Sequence, residues 1–514
     1  MAALLSCPAV PGPLEDYAAR FDPLWRSPAQ RRGFRAYLAG LLLPRDRNKT
    51  LTALAGAEPV VEAQAAAVQR LQFFLSEAHW DTEAVNVQRL ALLAEQPALA
   101  AHADGVLVLD DTGDRKDGHA TDHVARQYLG SVGKIDNGIV AVTSLWADGQ
   151  CYWPVHVEPY TPARRLAGGK GDAQFRTKPA IALTLVERAQ AAGIAFRAVV
   201  ADSAYGDNDS LEATLIARGI PHVLAHRGRA GQGWALAEDA HSFEEAARDL
   251  PKRAWKPVTR CFRDGHRETW WAAEMKFLGY GPSRAARAIV ATTDPLTLPD
   301  LTTWYLSTNL KLTDASLAEV VRLYGLRNWI EDHYKRVKDE LGWADFMVRA
   351  DHAIRRHWTL VNCAFSFCWW HEVRQAAMQE ATDEVAPKAD PIRPTVENAP
   401  PTARGKNQRA PRSIGMLATG VAARPRLARA LEMAHRLLAG LEQQAPTSST
   451  RRALGRRHLR RWVAPLPARV TKYRYLGCNY FFLRIVAQPD RVDAAHLGAA
   501  CIGGSVSTRT CRHH

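Results

Sequence analysis

Acidic residues at three places in the chain have the types and the setting of a metal site. Asp110 and Asp111 come directly after one apolar run, Asp202 comes after another, and Glu331 lies in a stretch with helical spacing. Mg²⁺ prefers oxygen ligands and keeps several of its waters, so two or three carboxylates suffice to hold it. Two such ions, about 3.5–4 Å apart, activate the attacking oxygen and stabilise the leaving one when a phosphodiester is cut.

A single acid after a strand is usually a turn or cap residue. Whether these acids form a metal site therefore depends on the strands and helices that carry them. Three apolar runs in hairpin order precede an alternation of helix and strand. We expect strands over 106–109, 139–143, 151–155, 196–201 and 223–225, and helices over 179–192 and 210–218. This β-β-β-α-β-α-β order is that of an RNase H-like fold, in which the first and fourth strands are neighbours and their acids meet.

The third acid lies on a long predicted helix, residues 314–341, which Thr313 is placed to cap. Tyr324, Arg327, Glu331 and Lys338 share one face of it, because their spacing follows the helical repeat. Such a face is normally a solvated stripe of salt bridges. Here the cations would have a use beside a metal-bound Glu331, since Arg327 and Lys338 could hold DNA phosphates.

The segment YGLRNWIEDHYKRVKDELG matches the pattern Y-x2-R-x3-E-x6-K at every fixed position. This pattern resembles the signature of a large group of bacterial insertion-sequence DDE transposases. The blocks D-D-T at 110–112 and A-D-S-A-Y-G at 201–206 resemble those around the two aspartates of that group, and ARQYLGSVGKIDNG resembles one branch of it. The resemblance covers roughly residues 30–375.

The resemblance implies that Asp110 or Asp111, together with Asp202 and Glu331, are catalytic ligands of two Mg²⁺ (or Mn²⁺) ions. The choice within the aspartate pair stays open, with a slight preference for Asp110. It also implies DNA contacts by the signature residues Tyr324, Arg327 and Lys338.

The interval from Asp202 to Glu331 is too long for the bare core, and relatives place a β-rich insertion there. A tryptophan of such an insertion can stack on a flipped base, which contributes about 1–3 kcal/mol. Trp270 or Trp271 could do this, although a core tryptophan is the more usual role. Lys116, after the first strand, is a further candidate for a DNA contact, and a solvated loop is as good an explanation.

The predicted fold class is α/β, with an RNase H-like catalytic core, a β-rich insertion, and helical N-terminal and basic C-terminal regions. Five segments follow: a helical, DNA-binding N-terminal domain at 1–100, the first part of the core at 101–226, the insertion at 227–311, the helical second part of the core at 312–380, and a basic linker and C-terminal region at 381–514. From these residues alone, a helical cap packed on the core is as good an explanation of the first segment as a DNA-binding domain.

The net charge of +14 is concentrated in one segment. Residues 386–470 contain 17 Lys and Arg against 4 Asp and Glu, a distribution that suits phosphate contacts better than a uniform surface charge does. No apolar run approaches the roughly 20 residues that span a bilayer, and the N-terminus lacks the basic start of a signal peptide. The eight cysteines contain no CxxC pair. We therefore expect a cytoplasmic, nucleoid-associated protein without a membrane partner or a zinc site.

These features predict a transposase that cuts the ends of its element and transfers the strand. Its partners would be double-stranded DNA, as terminal inverted repeats and target, and a second copy in a dimer or larger assembly. One alternative is an RNase H-fold nuclease without strand transfer. The other is a non-catalytic DNA-binding protein derived from a transposase, which the presence of all three acids disfavours.

Overall fold

A computed structural model of the chain describes residues 12–229, 242–262, 265–275 and 286–385. The basic segment 386–470 lies outside these residues, and its predicted role stays a prediction. Across the described ranges, no helix is both long and apolar enough to cross a membrane.

Short helices form the N-terminal region and pack on the core as a cap. They are α1 (Gly12–Ala19), α2 (Pro28–Leu42), α3 (Leu51–Leu54), α4 (Ala66–Gln72) and α5 (Thr82–Ala94). Ser27 and Asp81 cap α2 and α5 by accepting hydrogen bonds from backbone N–H groups. These helices bury their apolar faces in the main hydrophobic core, as the cap interpretation expects.

The central sheet follows the predicted order, which confirms the RNase H-like α/β class. Its first strands are β1 (Val106–Arg115), β2 (Ala125–Leu129), β3 (Lys134–Ala147), β4 (Tyr152–Tyr160), β5 (Ala198–Ala201) and β6 (His222–His226), with helices α6 (Lys178–Ala191), α7 (Ser203–Gly206) and α8 (Asp209–Ala217). β1 lies between β3, which is antiparallel to it, and β5, which is parallel to it. The short strand β2, which pairs with the first part of β3, was not predicted.

The predicted β-rich insertion extends the same sheet. It contains α9 (Phe243–Arg248), β7 (Lys256–Cys261), β8 (Arg267–Met275), β9 (Arg287–Thr292) and β10 (Thr303–Thr308). Strand β10 pairs with β6, so the sheet runs β2-β3-β1-β5-β6-β10-β9-β8-β7, with β4 also on β3.

Two helices replace the single predicted helix over 314–341: α10 (Leu317–Gly325) and α11 (Asn328–Asp339). The prediction of one helix was wrong because a tight turn with i→i−3 hydrogen bonds lies between them. The turn follows Gly325, and glycine is a poor helix former. The predicted cap, Thr313, was also wrong, since the side chain of Ser316 caps α10. The final helix, α12 (Asp351–Val385), is longer than expected, and its residues 353–370 lie largely in the core.

The basic residues between α2 and α3 are engaged inside the protein. Arg45 donates to the carbonyl of Lys338 and forms an ion pair with Asp345, and Lys49 donates to the carbonyls of Leu41 and Leu43 at the end of α2. The contacts of Arg45 fasten the N-terminal region to the end of α11, and those of Lys49 hold the end of α2.

Three buried histidines make the fold sensitive to acid. Burial lowers the pKa of His156 to about 3, that of His333 to about 3 and that of His357 to about 4. In the unfolded chain these groups titrate near about 6.5. Below about pH 6.5 these histidines bind protons in the unfolded state but stay neutral in the folded state. The free energy of unfolding therefore decreases as the pH falls from about 6.5 towards about 4.

We expect each histidine to cost about 1 kcal/mol of unfolding free energy between pH about 6.5 and 5.5, or about 3 kcal/mol together. Chemical denaturation across this pH range measures the loss. His333→Leu should reduce the slope by about one proton. Equal slopes in wild type and His333→Leu would contradict the buried-histidine explanation.

Candidate active site

The first and fourth strands of the predicted core, β1 and β5, place two aspartates side by side. The last paired residues of the two strands are Leu109 and Ala201, so Asp110 and Asp202 follow at neighbouring positions. β5 ends there, but β1 continues to Arg115, because its later residues still pair with β3. The expectation that the aspartate pair ends the strand was therefore wrong, although the two strands do bring the acids together.

Asp202 is held by the short helix that it begins. One carboxylate oxygen accepts a hydrogen bond from the N–H of Ala204 at 3.0 Å, as an N-cap, and the other faces the site. Gly206, at the end of the A-D-S-A-Y-G block, lies against the backbone of Ala225 so closely that no Cβ would fit. The glycine thus allows α7 to pack on β6 and fixes the direction of Asp202.

The guanidinium of Arg327 is the centre at which three carboxylates meet. Its Nη2 lies 3.0 Å from Asp110 Oδ2 and 3.3 Å from Asp202 Oδ2, and its Nη1 lies 3.2 Å from Glu331 Oε1. The side chains of Arg327 and Asp110 are only 14% and 13% exposed. Opposite charges at this distance with little water between them attract strongly, so the three acids form one cluster around a cation.

The two neighbouring aspartates point in different directions. Burial raises the pKa of Asp110 well above its ordinary value; Arg327 opposes the shift, and Asp202 and Asp111 add to it. Asp111 lies on the other face of the strand, where Lys178 Nζ approaches one oxygen to 3.0 Å and the Tyr205 hydroxyl donates to the other at 3.3 Å. Asp110 therefore faces the cluster, and Asp111 faces α6 and α7.

The donor set suits a hard divalent cation, since Asp110, Asp202 and Glu331 offer only carboxylate oxygens. Among the residues that the structure describes, no group of three His, Cys, Asp or Glu lies close enough together to hold one ion. The reason is geometric, because the guanidinium of Arg327 separates the carboxylates while balancing their charge. The residues thus fit the ion in chemistry, and the side chain of Arg327 must move for them to share it.

Two hydroxyl contacts fasten α11, the helix of Glu331, to the sheet. Tyr334 Oη lies 2.5 Å from Thr143 Oγ1, and Thr143 is the cross-strand partner of Asp110. On the same helix, buried Asp332 accepts a hydrogen bond from Tyr152 of β4 at 2.6 Å. These residues were missed in the sequence, although Tyr334 follows Glu331 by three positions, the helical spacing that places them on one face.

Tyr334→Phe is expected to weaken the affinity for Mg²⁺ more than it weakens the fold. Loss of one hydroxyl contact costs about 1 kcal/mol of stability, but it frees Glu331 to shift relative to Asp110. We expect the Mg²⁺ concentration for half-maximal activity to rise about 3- to 10-fold, because ligand placement determines affinity. A magnesium titration of DNA cleavage measures this.

Thr143→Val removes the other half of the same contact. The double variant should therefore be no worse than either single variant, since the two changes break one interaction. Additive effects would show that the two hydroxyls act separately and would contradict the shared contact.

The other signature residues lie around this centre. Tyr324, which is 8% exposed, packs edge-on against the ring of Trp304 at 4.7 Å, and burial raises its pKa to about 12. Lys338 lies further along α11, 2.7 Å from Asp114 Oδ1 of β1. The helix turn places Tyr324 on α10 and the other three residues at or after the start of α11, so they do not share one helix face as predicted.

The two tryptophans proposed for base stacking differ in exposure. Trp270 is 1% exposed and packs against Trp304 at 4.7 Å, with the guanidinium of Arg260 over its ring at 4.4 Å. Trp270 is thus a core residue here, covered by α10, and the proposal that it stacks on a base does not fit its position. Trp271, on the other face of β8, is 37% exposed.

Lys116 is also engaged inside the protein. Its ammonium donates to the carbonyls of Ala344 and Phe346 and lies 3.5 Å from the centre of the Phe346 ring. Burial lowers its pKa to about 8. In this position Lys116 anchors the loop after β1 and is not a solvated DNA-contacting side chain.

The fold and the acid cluster define an RNase H-like site of the DDE type. Two families match the chain: that described as DDE superfamily endonuclease over residues 20–268, and that described as transposase DDE domain over residues 177–367. A probable transposase for insertion sequence element IS701 from Microchaete diplosiphon is 36% identical over 280 residues, which are 54% of this chain and 68% of that protein.

The chain therefore belongs to the insertion-sequence DDE transposases. Members of the DDE endonuclease superfamily are nuclease-type enzymes that generally use divalent metal ions. The matched segments contain both aspartate blocks and the signature around Glu331.

Proposed function

We propose that this protein cuts DNA at the ends of its own insertion element and transfers the freed strand to a new site. The observation that carries the proposal is the convergence of Asp110, Asp202 and Glu331 on one cationic centre at the carboxyl end of β5. The substrate would be double-stranded DNA, and the two ends of one element would require a dimer or larger assembly.

In this proposal Asp110, Asp202 and Glu331 hold two Mg²⁺ or Mn²⁺ ions. Bound there, the ions would supply activation of the attacking oxygen and stabilisation of the leaving oxygen. Asp111 is left out of the ligand set because Lys178 and Tyr205 hold it on the opposite face of β1. Its role would be to hold α6 and α7 against the strand.

The other residues of the site would bind and orient the DNA. Arg327 would leave the carboxylates and bind a phosphate next to the cut, as bidentate guanidinium groups do well. Lys338 would supply a second cation further along α11. Trp271 is the tryptophan of β8 with an exposed face for a base. Tyr324, which packs on Trp304, would position the start of α11 and with it Arg327.

The regions on either side of the core would add DNA contacts. The basic segment 386–470 would bind phosphates without regard to sequence, so that affinity falls steeply with salt. The N-terminal cap would contribute through its exposed surface, since Arg45 and Lys49 are used inside the protein. In a cell, such a protein would associate with the nucleoid.

A cleavage assay tests the proposal. A supercoiled plasmid that carries the ends of the element is incubated with the full chain and Mg²⁺ or Mn²⁺, and nicks and joined products are mapped. We expect wild type to nick at the ends and to join the freed 3′ ends to target DNA. Glu331→Gln should bind but not cut, whereas Asp339→Asn, an exposed acid on the same helix, should cut normally.

Three outcomes would contradict parts of this proposal. Equal cutting by wild type and Glu331→Gln would remove Glu331 from the ligand set. Cutting without any joined product would favour a nuclease without strand transfer. Binding without metal-dependent cutting would favour a non-catalytic DNA-binding protein.

A further inference from the structure

Four exposed cations at and near β2 form no direct ion pair within the described part of the chain. They are Arg126 on β2 and Arg164, Arg165 and Lys170 in the segment between β4 and α6, and all four are exposed. None of them forms a direct ion pair with a carboxylate of the described residues. Arg126 interacts with Asp136 only at longer range, whereas Arg115 of β1 and Lys134 of β3 pair with that carboxylate directly. We call these four residues the flank surface.

Backbone contacts hold two of the four cations in place, and Lys170 lies in the next short turn of the same segment. Arg164 donates to the carbonyl of Arg126, and Arg165 donates to the carbonyls of His119 and Thr121. The segment that contains Arg164 is thereby tied to β2 and to the loop before it. Unpaired like charges repel, so holding them together on one surface favours an anionic partner.

The register of the sheet places this surface relative to the acid cluster. Asp110 pairs with Thr143 of β3, and Arg126 pairs with Asn137 of the same strand. Thr143 and Asn137 are an even number of residues apart, and alternate side chains share a face. Arg126 therefore lies on the same face of the sheet as Asp110.

The distance along the sheet is also fixed by pairing. Arg115 and Ala125 both pair with Gly138, so β2 begins level with Arg115, five residues beyond Asp110. At about 3.3 Å per residue this separation is about 17 Å. Phosphates of one DNA strand follow each other by about 3.4 Å along the helix axis, so 17 Å corresponds to about five base pairs of a duplex whose axis follows β1.

We propose that the flank surface binds the phosphate backbone of duplex DNA about five base pairs from the phosphate that is cut. The proposal rests on the proposed function, because it takes the acid cluster as the cutting centre. The surface would hold the DNA by its backbone, independently of sequence, and would keep the duplex aligned across the end of the sheet.

Binding of a fluorescent duplex that carries the element end, measured over a range of salt concentrations, tests this. Each lost phosphate contact lowers the slope of log affinity against log salt by about 0.9. Arg164→Gln/Arg165→Gln/Lys170→Gln in the full chain should reduce the slope by about 2–3 and weaken binding about 10- to 100-fold near 0.1 M salt. Ethylation of phosphates about five positions from the cut should impair binding by wild type but not by this variant.

Two control variants separate this surface from general charge and from loop anchoring. Lys252→Gln/Arg253→Gln/Lys256→Gln removes three exposed cations at the opposite edge of the sheet, beside and in β7, and should keep the ethylation pattern. Arg164→Lys/Arg165→Lys keeps the charge and should keep most of the affinity. The proposal would be overturned if the variant at Arg164, Arg165 and Lys170 kept the wild-type salt slope and ethylation pattern. It would also be overturned if the two triple variants lost affinity equally.

Failure of the proposed function would look different. If wild type never nicks DNA but its ethylation pattern depends on Arg164, Arg165 and Lys170, the flank surface stands and the cutting function does not. If nicking occurs and the pattern ignores these residues, the flank surface fails alone.

Discussion

Asp110→Asn should lower DNA cleavage by at least about a thousandfold, as removal of an essential catalytic group does, whereas Asp111→Asn should lower it by less than about tenfold. The two residues are adjacent and chemically identical, so composition does not distinguish them. Their surroundings do, because Asp110 faces Arg327 and the other acids while Asp111 faces Lys178 and Tyr205.

The expected cost at Asp111 is structural. Asn keeps the size of the side chain and its hydrogen bond from Tyr205 but loses the ion pair with Lys178, which is 29% exposed. Partly exposed ion pairs contribute about 1 kcal/mol or less. We therefore expect a small decrease in thermal stability and less than about a tenfold change in cleavage.

Single-turnover cleavage of a duplex with the element end, at saturating enzyme, measures both variants under one condition. Lys178→Met is the matched control for the Asp111 side, since it breaks the same ion pair from the other partner. A thousandfold loss at Asp111 with little loss at Asp110 would reverse the assignment. Comparable large losses at both would mean that the pair acts together.

The sequence could place the acids near each other but could not choose between them. Strand order predicts that β1 and β5 are neighbours, and this was confirmed. Alternation along a strand also implies that only one of two consecutive residues faces the site. Whether Asp110 or Asp111 faces the site depends on which face of the sheet α11 covers. The local sequence pattern of β1 does not reveal how a helix that is distant in the chain packs.

The sequence also could not show which of the neighbours Trp270 and Trp271 is buried. Both lie in a strand of alternating burial, and β8 buries the first because α10 packs on that face, with Val321 beside Trp270. The position of α10 depends in turn on the turn after Gly325, which the regular spacing of the signature concealed. The prediction gave the helical spacing of the signature more weight than the low helix propensity of Gly325.

The end of β1 was misjudged for a different reason. Asp110, Asp111 and Gly113 are residues typical of turns, so the pattern indicates that the strand stops. Pairing with the long strand β3 continues it to Arg115, since tertiary pairing overrides weak strand propensity. That continuation is what carries the sheet beyond the acids and positions the flank surface.

Arg327→Gln is expected to destabilise the metal-free protein and to make it more responsive to Mg²⁺. Arg327 is the cation that balances Asp110, Asp202 and Glu331 in this structure. Removing one partner of a buried ion pair costs about 3–5 kcal/mol. Since Asp202 and Glu331 are 31% and 36% exposed, solvent screens part of this, and we expect about 2–3 kcal/mol.

Mg²⁺ should reverse most of that loss. In wild type a metal ion must displace the guanidinium from the carboxylates, whereas in Arg327→Gln it meets uncompensated ligands, so the same concentration stabilises the variant more. Unfolding by denaturant with and without Mg²⁺, and with Ca²⁺ as a second hard cation, measures the difference. Arg322→Gln, an arginine of α10 paired with Glu319, is the control and should respond as wild type does.

An equal response of wild type and Arg327→Gln to Mg²⁺ would show that the guanidinium does not compete with the ion. A larger response of the variant would mean that Arg327 holds the carboxylates apart until DNA arrives. Because a phosphate attracts the guanidinium as a carboxylate does, DNA binding would then release the ligands at the moment when a phosphate is in reach. Such an order of events would couple metal binding to the presence of the substrate and would keep the free protein from assembling its metal site.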